Sequence, residues 1–159
     1  MSFLAIGPRF PQPKRIECRS VPTAVQRGEV LDMEQSDRRS LDGVRVLILE
    51  DEFFLADDLA RALRDAGAMP VGPVGTVRQA EKLMARERVD AAILDLNLRG
   101  EMASDFVERL AATDLPCLIV SGYASDGVPE AVSGVPRLEK PVSPSLVIDQ
   151  LSAELATAA

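Results

Sequence analysis

Residues 44–52 of this chain read Val44-Arg45-Val46-Leu47-Ile48-Leu49-Glu50-Asp51-Glu52. The first six positions are almost continuously apolar, as in a strand that is covered on both faces of a parallel sheet. Three carboxylates follow without a break. A buried strand that ends in acidic side chains predicts an α/β protein with a polar site at the carboxyl edge of its sheet.

Four further strands are expected downstream, and the first of them is placed at a sheet edge because Pro70, Gly72 and Pro73 interrupt it. They occupy residues 71–74, 89–94, 115–120 and 135–138. Helix-like segments separate the runs along the chain. This alternation predicts a doubly wound five-stranded parallel sheet of the flavodoxin-like order 2-1-3-4-5, because a barrel would need more strand–helix units.

The helices are marked by capping residues and by apolar stripes. Gly67 is a C-terminal stop for the first helix, Thr76 opens a capping box for the second, and Ser143-Pro144 begins the last. A fourth helix is expected over residues 124–133, although it contains a glycine and a proline. The residues that define the stripes are Leu55, Leu59, Leu63 and Ala66; Ala80, Leu83 and Met84; Phe106 and Leu110; and Leu146, Ile148, Leu151 and Leu155.

Composition divides the 159-residue chain into two parts. Residues 1–42 carry 7 basic and 6 acidic side chains and no sustained period, so we expect a disordered N-terminal extension. Residues 43–157 form the predicted folded domain. Residues 43–159 carry 11 basic and 19 acidic side chains, a balance that excludes nucleic acid as a partner and suits a cation or a basic protein.

Scarce residue types limit the chemistry further. The chain has no histidine, which excludes His-dependent triads and His-ligated zinc sites. Its two cysteines, Cys18 and Cys117, do not make a disulfide framework and indicate a reducing compartment. No apolar run is long enough to span a membrane, and the N-terminus lacks the apolar region of a signal peptide. We therefore expect a cytoplasmic protein without membrane contacts.

The carboxylates of Glu50 and Asp51 should meet that of Asp95, which ends the strand over 89–94. Two charges 4 Å apart repel by about 4 kcal/mol at an effective dielectric constant of 20, so something must compensate them. Oxygen ligands favour a divalent cation, and so small a ligand set favours Mg²⁺ over Ca²⁺. A solvated acidic loop is the alternative for residues 50–52 taken alone, since acids are favoured at a helix N-terminus.

Two more predicted strand ends add polar groups to the same edge. Ser121 offers a hydroxyl and Lys140 offers an ammonium, and either could bind an oxygen of a phosphoryl group on Asp95. A metal ion beside a nucleophilic carboxylate suits phosphoryl transfer, in which positioning and charge neutralisation supply most of the catalysis.

The stretch from Val44 to Leu155 resembles the receiver domain of two-component response regulators. The motifs VLILEDE, ILDLNLRG, IVSGY and RLEKP carry the resemblance. It implies that residues 43–157 form a receiver domain, that Asp95 accepts the phosphoryl group, and that a cis peptide bond joins Lys140 to Pro141. The implied catalytic set is Asp95, Ser121 and Lys140. The implied metal ligands are Asp51, Asp95, the backbone carbonyl of Asn97, and Glu50 through a water molecule.

The resemblance also implies partners. Because the chain has no histidine, its phosphoryl group must come from the phosphohistidine of a sensor histidine kinase or a histidine phosphotransfer protein. The sequence ends soon after the last predicted helix, so we expect a stand-alone receiver that signals to an unknown downstream protein, as a monomer or a weak dimer. It would catalyse its own phosphorylation and dephosphorylation rather than act as an enzyme on a separate substrate.

Three positions depart from the common pattern of the family. Glu50 stands where Asp is commoner, Ser121 stands where Thr is commoner, and Arg137 stands where many receivers carry a switch aromatic. Tyr123, two residues after the hydroxyl, makes this segment similar to the Phe-Ala-Thr-Gly-Tyr branch of single-domain receivers, although Ile119-Val120 replaces Phe-Ala.

Three other functions fit the sequence less well. An FMN carrier would need a phosphate-binding loop after the first strand, where residues 50–52 would repel phosphate. A phosphatase of the haloacid dehalogenase type would need a second aspartate where Asn97 stands. A degenerate receiver would bind partners without phosphorylation, and the intact Asp95, Ser121 and Lys140 argue against it.

Overall fold

The computed structural model describes residues 41–122 and 129–158. Its five main strands are β1 (Arg45–Leu49), β2 (Met69–Val74), β3 (Ala91–Leu94), β4 (Cys117–Ser121) and β5 (Arg137–Glu139). They form one sheet in the order β2-β1-β3-β4-β5, and every neighbouring pair is parallel. The predicted fold and strand order are confirmed. The strand bounds differ from the predicted ones by at most two residues.

The helices of the described residues are α1 (Phe53–Asp65), α2 (Val77–Met84), α3 (Ser104–Ala111) and α4 (Pro144–Ala158). The predicted capping box begins α2, where the Gln79 N–H donates to Thr76 Oγ1 over 3.3 Å. The further helix predicted over 124–133 lies partly in residues 123–128, outside the described ranges. The rest of that segment holds a 3₁₀ helix at Glu130–Val132. Within the described ranges, none of the helices has the length and apolarity needed to cross a membrane.

The side chains of β1 alternate between two hydrophobic layers, one on each side of the sheet. Leu47 and Leu49 pack in the layer that contains Phe106 of α3. Val46 and Ile48 pack in the opposite layer, which α1 and α4 cover. The apolar run of β1 therefore reflects burial on both faces, and this burial holds the acidic residues that follow it at the carboxyl edge of the sheet.

Leu41, the first residue of the described range, packs on the domain two residues before the predicted boundary. The Leu41 side chain is fully buried in the layer beneath α1 and α4. Its N–H donates to the carbonyl oxygen of Ala66 over 3.4 Å, and its own carbonyl accepts from the Val44 N–H at 3.0 Å. Leu41 therefore ties the segment that precedes β1 to the end of α1.

The predicted stop of the first helix is present as a Schellman motif around Gly67. The Gly67 N–H donates to the Arg64 carbonyl at 3.0 Å, and the Ala68 N–H donates to the Leu63 carbonyl at 2.9 Å. Gly67 has a φ of 85°, and a Cβ atom at this position would overlap the Asp42 side chain. Both the backbone conformation and the close approach therefore require glycine here.

The last helix begins at the predicted cap but presents a different face. Ser143 Oγ accepts a hydrogen bond from the Leu146 N–H over 3.3 Å. Val147, Ile148 and Leu151 are buried, whereas Leu146 is 47% exposed. Leu146 therefore does not belong to the buried stripe in which it was predicted, and Val147 takes the inward position.

Candidate phosphoryl-transfer site

The strands deliver polar side chains to the carboxyl edge of the sheet. Glu50 directly follows β1 and Asp95 directly follows β3. Ser121 is the last residue of β4, and Lys140 directly follows β5. Backbone hydrogen bonds align these ends, because the Asp95 N–H donates to the Leu49 carbonyl at 2.8 Å and the Lys140 N–H donates to the Ser121 carbonyl at 3.0 Å.

The Lys140 ammonium bridges three carboxylates at this edge. Its Nζ lies 2.8 Å from Glu50 Oε2, 2.8 Å from Asp95 Oδ2 and 2.9 Å from Glu52 Oε1. The Glu50 and Asp95 side chains are almost completely buried, whereas Glu52 is 65% exposed. Lys140 therefore compensates two buried negative charges that would otherwise repel each other.

Burial and pairing act in opposite directions on these groups. Burial raises the pKa of Glu50 above its usual value, and the hydrogen bonds from Lys140 and from the Glu52 N–H only partly offset that rise. Burial alone would lower the pKa of Lys140, but its hydrogen bonds to Asp95, Glu50 and Glu52 outweigh burial and raise that pKa. The ammonium therefore stays charged at neutral pH.

A short hairpin fixes the Asp95 carboxylate from its other side. Residues Asn97–Leu98 pair antiparallel with Glu101–Met102 just after β3. The Asn97 N–H donates to Asp95 Oδ1 over 3.0 Å. Because Asp95 Oδ2 contacts Lys140, both oxygens of the carboxylate have polar partners, and its orientation is set before any ligand arrives.

Asp51 points to a different partner. Its side chain is 12% exposed, and its Oδ2 lies 3.5 Å from Nε of Arg99. The sequence prediction contained neither Arg99 nor Glu52 as a site residue. Glu52 was visible as the third member of the acidic run, but its role depends on the reach of Lys140. The only sequence signal for Arg99 is a cation placed in the loop directly after Asp95 and Asn97.

The carboxylates fit a divalent cation. Glu50, Glu52 and Asp95 each offer an oxygen, and these three oxygens lie within 4.8 Å of one another. An all-oxygen donor set is the kind that Mg²⁺ prefers. Beside them opens a cavity of about 340 Å³, lined by Asp51, Glu52, Asp95, Asn97, Arg99, Gly122 and Lys140. The predicted ligands Asp51 and Asn97 therefore border the cavity without being part of the three-oxygen cluster.

Comparison with known proteins decides the family. The model of the response regulator receiver domain matches residues 46–151. The chain belongs to this family. It is therefore a receiver domain of two-component signalling, a signalling module whose members bind Mg²⁺ through acidic residues and interact with histidine kinases or phosphotransfer proteins.

Characterised relatives of this receiver are longer proteins. The transcriptional regulatory protein PdtaR of Mycobacterium tuberculosis is 28% identical over 110 residues, which are 69% of this chain and 54% of PdtaR. The sensory transduction protein LytT of Bacillus subtilis is 33% identical over 84 residues, which are 52% of this chain and 35% of LytT. The chain therefore spans about half the length of PdtaR and about a third of LytT.

Solved structures agree with this fold. SdrG from Sphingomonas melonis Fr1 is 36% identical, with a TM-score of 0.60 over 74% of this chain and 98% of SdrG. A sensor protein from Polaromonas sp. JS666 is 30% identical, with a TM-score of 0.63 over 73% of this chain and 98% of its own. A CheY-like receiver from Methanospirillum hungatei JF-1 has a TM-score of 0.66 at 20% identity over 74% of this chain and 97% of its own, which shows the fold alone.

Three further features that the sequence analysis identified in this receiver can now be located. Ser121 is fully buried at the end of β4. Arg137 is exposed at the start of β5, and the peptide bond between Lys140 and Pro141 is cis, as the family resemblance implied. Tyr123 lies outside the described residues.

Proposed function

We propose that this receiver is a cytoplasmic phosphoprotein that takes a phosphoryl group from a phosphohistidine onto Asp95, with Mg²⁺, and signals through protein–protein contacts. One observation carries the proposal. The Asp95 carboxylate is held between the Lys140 ammonium and the Asn97 N–H at the wall of an open cavity. A carboxylate that is oriented, charge-compensated and open to an incoming group is suited to attack phosphorus.

The transfer conserves atoms and charge. A carboxylate oxygen of Asp95 forms a bond to phosphorus, while the bond from phosphorus to the imidazole nitrogen of the donor breaks. The imidazole leaves with the electron pair of that bond, and an aspartyl phosphate results. Lys140 then binds an oxygen of the new phosphoryl group in a charge-assisted contact, and the Ser121 hydroxyl donates to another.

Mg²⁺ would be held by Glu50, Asp51 and Asp95 together with the backbone carbonyl of Asn97. When bound, the ion supplies positive charge that offsets the phosphoryl oxygens. The three-oxygen cluster supports this proposal, because its carboxylates already require a cation, which Lys140 provides in part.

The phosphoryl donor is proposed to be a sensor histidine kinase or a histidine phosphotransfer protein. Residues 1–159 contain no histidine, so they do not themselves supply the phosphohistidine. Any such donor must approach the rim of the cavity, where α1 begins directly after Glu52. Phe53 and Phe54 are 76% and 83% exposed there, and they offer apolar contact area beside the acidic rim.

Intact mass spectrometry after incubation with Mg²⁺ and acetyl phosphate tests the proposal. The expected result is the addition of one phosphoryl group, which Asp95→Asn and excess EDTA both abolish. Asp105→Asn is the matched control, because Asp105 is an exposed aspartate on α3, and this variant should label like the wild type. If wild-type protein bound Mg²⁺ but never gained the phosphoryl mass, a phosphorylation-independent binding module would replace this proposal.

A further inference from the structure

Arg99 occupies an unusual backbone position beside the site. Its φ is 55° and that of Gly100 is 89°, two consecutive positive values such as a type I′ hairpin turn requires. Asparagine, aspartate and glycine are the usual residues at the first of these positions. A positive φ is sterically unfavourable for arginine. A residue held in such a conformation beside a functional site often has a function that depends on its side chain.

The hairpin holds Arg99 over the cavity. Leu98, directly before it, is buried in the core, and Gly100, directly after it, donates its N–H to Asn97 Oδ1 over 2.8 Å. Asn97 in turn donates its N–H to the Asp95 carboxylate. Arg99 therefore lies on a turn whose position is tied to Asp95, and it is one of the residues that line the same cavity.

The two cations of the cavity divide its carboxylates between them. Lys140 contacts Glu50, Glu52 and Asp95, whereas Arg99 contacts Asp51. They differ sharply in burial, because the Lys140 side chain is 13% exposed and that of Arg99 is 81% exposed. Lys140 is enclosed by its three partners. Arg99 makes one longer contact, at 3.5 Å, from a solvated side chain, so it can leave Asp51 at little cost.

We propose that Arg99 is an exchangeable counter-ion of Asp51, which it pairs at rest and releases when a divalent cation binds. Arg99 thereby competes with the cation and sets the concentration at which the receiver becomes ready to accept a phosphoryl group. The inference rests on the proposed function, since it takes Asp51 as a ligand of that cation. It assigns to Arg99 a positioning role, because the guanidinium acts through Asp51.

Two properties of arginine make this competition specific. Its guanidinium stays charged across the physiological pH range, so Arg99 does not release Asp51 by losing its own charge. The Arg99 side chain is 81% exposed, so salt must screen both its attraction to Asp51 and its repulsion of an incoming cation. The competition should therefore be strong at low ionic strength and should fade as salt is added.

The test compares Mg²⁺ binding by wild type, Arg99→Gln, Arg99→Lys and Arg61→Gln. Binding is measured by isothermal titration calorimetry and by thermal unfolding at increasing Mg²⁺ concentration, without a phosphodonor. Glutamine at 99 removes the charge and, like arginine, is disfavoured at positive φ, whereas asparagine or glycine would also relax the turn. Arg61→Gln is the matched control, because Arg61 pairs with Asp57 on the exposed face of α1 and its loss changes the net charge equally.

Arg99→Gln is expected to bind Mg²⁺ about three- to fivefold more tightly than wild type at low salt, the scale of an exposed charge pair. Arg99→Lys should stay within about twofold of wild type, and the gain of Arg99→Gln should fall below about 1.5-fold in 0.5 M salt. If Arg99→Gln bound Mg²⁺ no more tightly than wild type, or if Arg61→Gln gained as much affinity, the role proposed for Arg99 would be wrong and the proposed function would be unaffected. If wild type bound no Mg²⁺, this inference and the metal in the proposed function would both fail.

Discussion

The Nζ atom of Lys140 lies 2.8 Å from Oδ2 of Asp95, and the two side chains are 13% and 5% exposed. A contact this well shielded from water is stronger than a surface ion pair, which contributes little to stability. The same ammonium contacts Glu50 at 2.8 Å. Lys140 therefore compensates charge in the resting site, and under the proposed function it would also bind the phosphoryl group in the phosphorylated one.

Lys140→Ala should fold and bind Mg²⁺ but label with acetyl phosphate about tenfold more slowly or worse, because a charge-assisted contact contributes about 1.5–3 kcal/mol. Lys140→Arg should rescue the rate poorly, since a planar guanidinium does not replace a compact ammonium among three carboxylates. The rate of the mass increase measures both effects. Lys82→Ala, at an exposed lysine of α2, is the control. A wild-type rate in Lys140→Ala would reduce Lys140 to a structural counter-ion.

Metal binding should depend more on Asp51 than on Glu52, although Glu52 belongs to the three-oxygen cluster. Glu52 is 65% exposed, so losing its charge costs little, whereas the Asp51 side chain is 12% exposed at the cavity wall. Asp51→Asn should weaken Mg²⁺ binding more than about tenfold, and Glu52→Gln at most about threefold. Calorimetric titration distinguishes them. The reverse order would make Glu50, Glu52 and Asp95 the working ligands.

Leu41 should mark where the stable domain starts. A chain that begins at Leu41 should unfold in urea and label with acetyl phosphate like the full protein. Leu41→Ala should lower the free energy of unfolding by about 2–4 kcal/mol, because it empties a fully buried position. Leu146→Ala, at a leucine that is 47% exposed, is the control and should cost under about 1 kcal/mol. A large loss in the chain that begins at Leu41 would show that residues 1–40 contribute to stability.

The Cys117 thiol should be unreactive toward alkylating reagents in the folded protein. Burial raises the pKa of its thiol to about 12 from a usual value of 9.0, so the reactive thiolate is absent at pH 8.5. In a Cys18→Ser background, iodoacetamide should modify the protein in urea and leave the native protein unmodified. Rapid native modification would mean that β4 opens readily.

The same pKa shift makes stability depend on pH. The folded-state pKa lies above the unfolded one, so the thiol contributes stability that is fully present below pH 9 and is lost as pH rises toward 12. The stability advantage of the Cys18→Ser protein over its Cys117→Ala variant should therefore narrow by about 1.4 kcal/mol between pH 8 and pH 10. Urea unfolding at the two pH values measures the free energy of unfolding of both variants. If the difference between them were the same at pH 8 and pH 10, the Cys117 thiol would not have the raised pKa that its burial implies.

The strand order could be predicted because the three central strands, β1, β3 and β4, are compact buried runs, and helical segments alternate with strands along the sequence. Leu47 and Ile48 face opposite layers, and burial on both sides leaves an unambiguous signal in the sequence. The predicted strand order also predicted that the residues at the strand ends lie close together. Parallel strands bring their carboxyl ends to one edge, so Glu50 and Asp95 had to lie close together.

Other features depend on geometry that sequence patterns do not contain. Leu146, Val147 and Ile148 are consecutive and apolar, so helical period alone cannot say which of them faces the core. Leu41 is a single leucine among polar neighbours, and its contact with Ala66 exists only once α1 has folded. The pair between Arg99 and Asp51 depends on a left-handed turn conformation that few arginines adopt.

The contacts of Lys140 join parts of the chain that are far apart in sequence, 45 residues from Asp95 and 88 from Glu52. A growing polypeptide emerges from the ribosome N-terminus first, so the acidic residues leave it long before their ammonium does. The acidic edge of a newly made chain therefore lacks its counter-ion until β5 and Lys140 have emerged and docked.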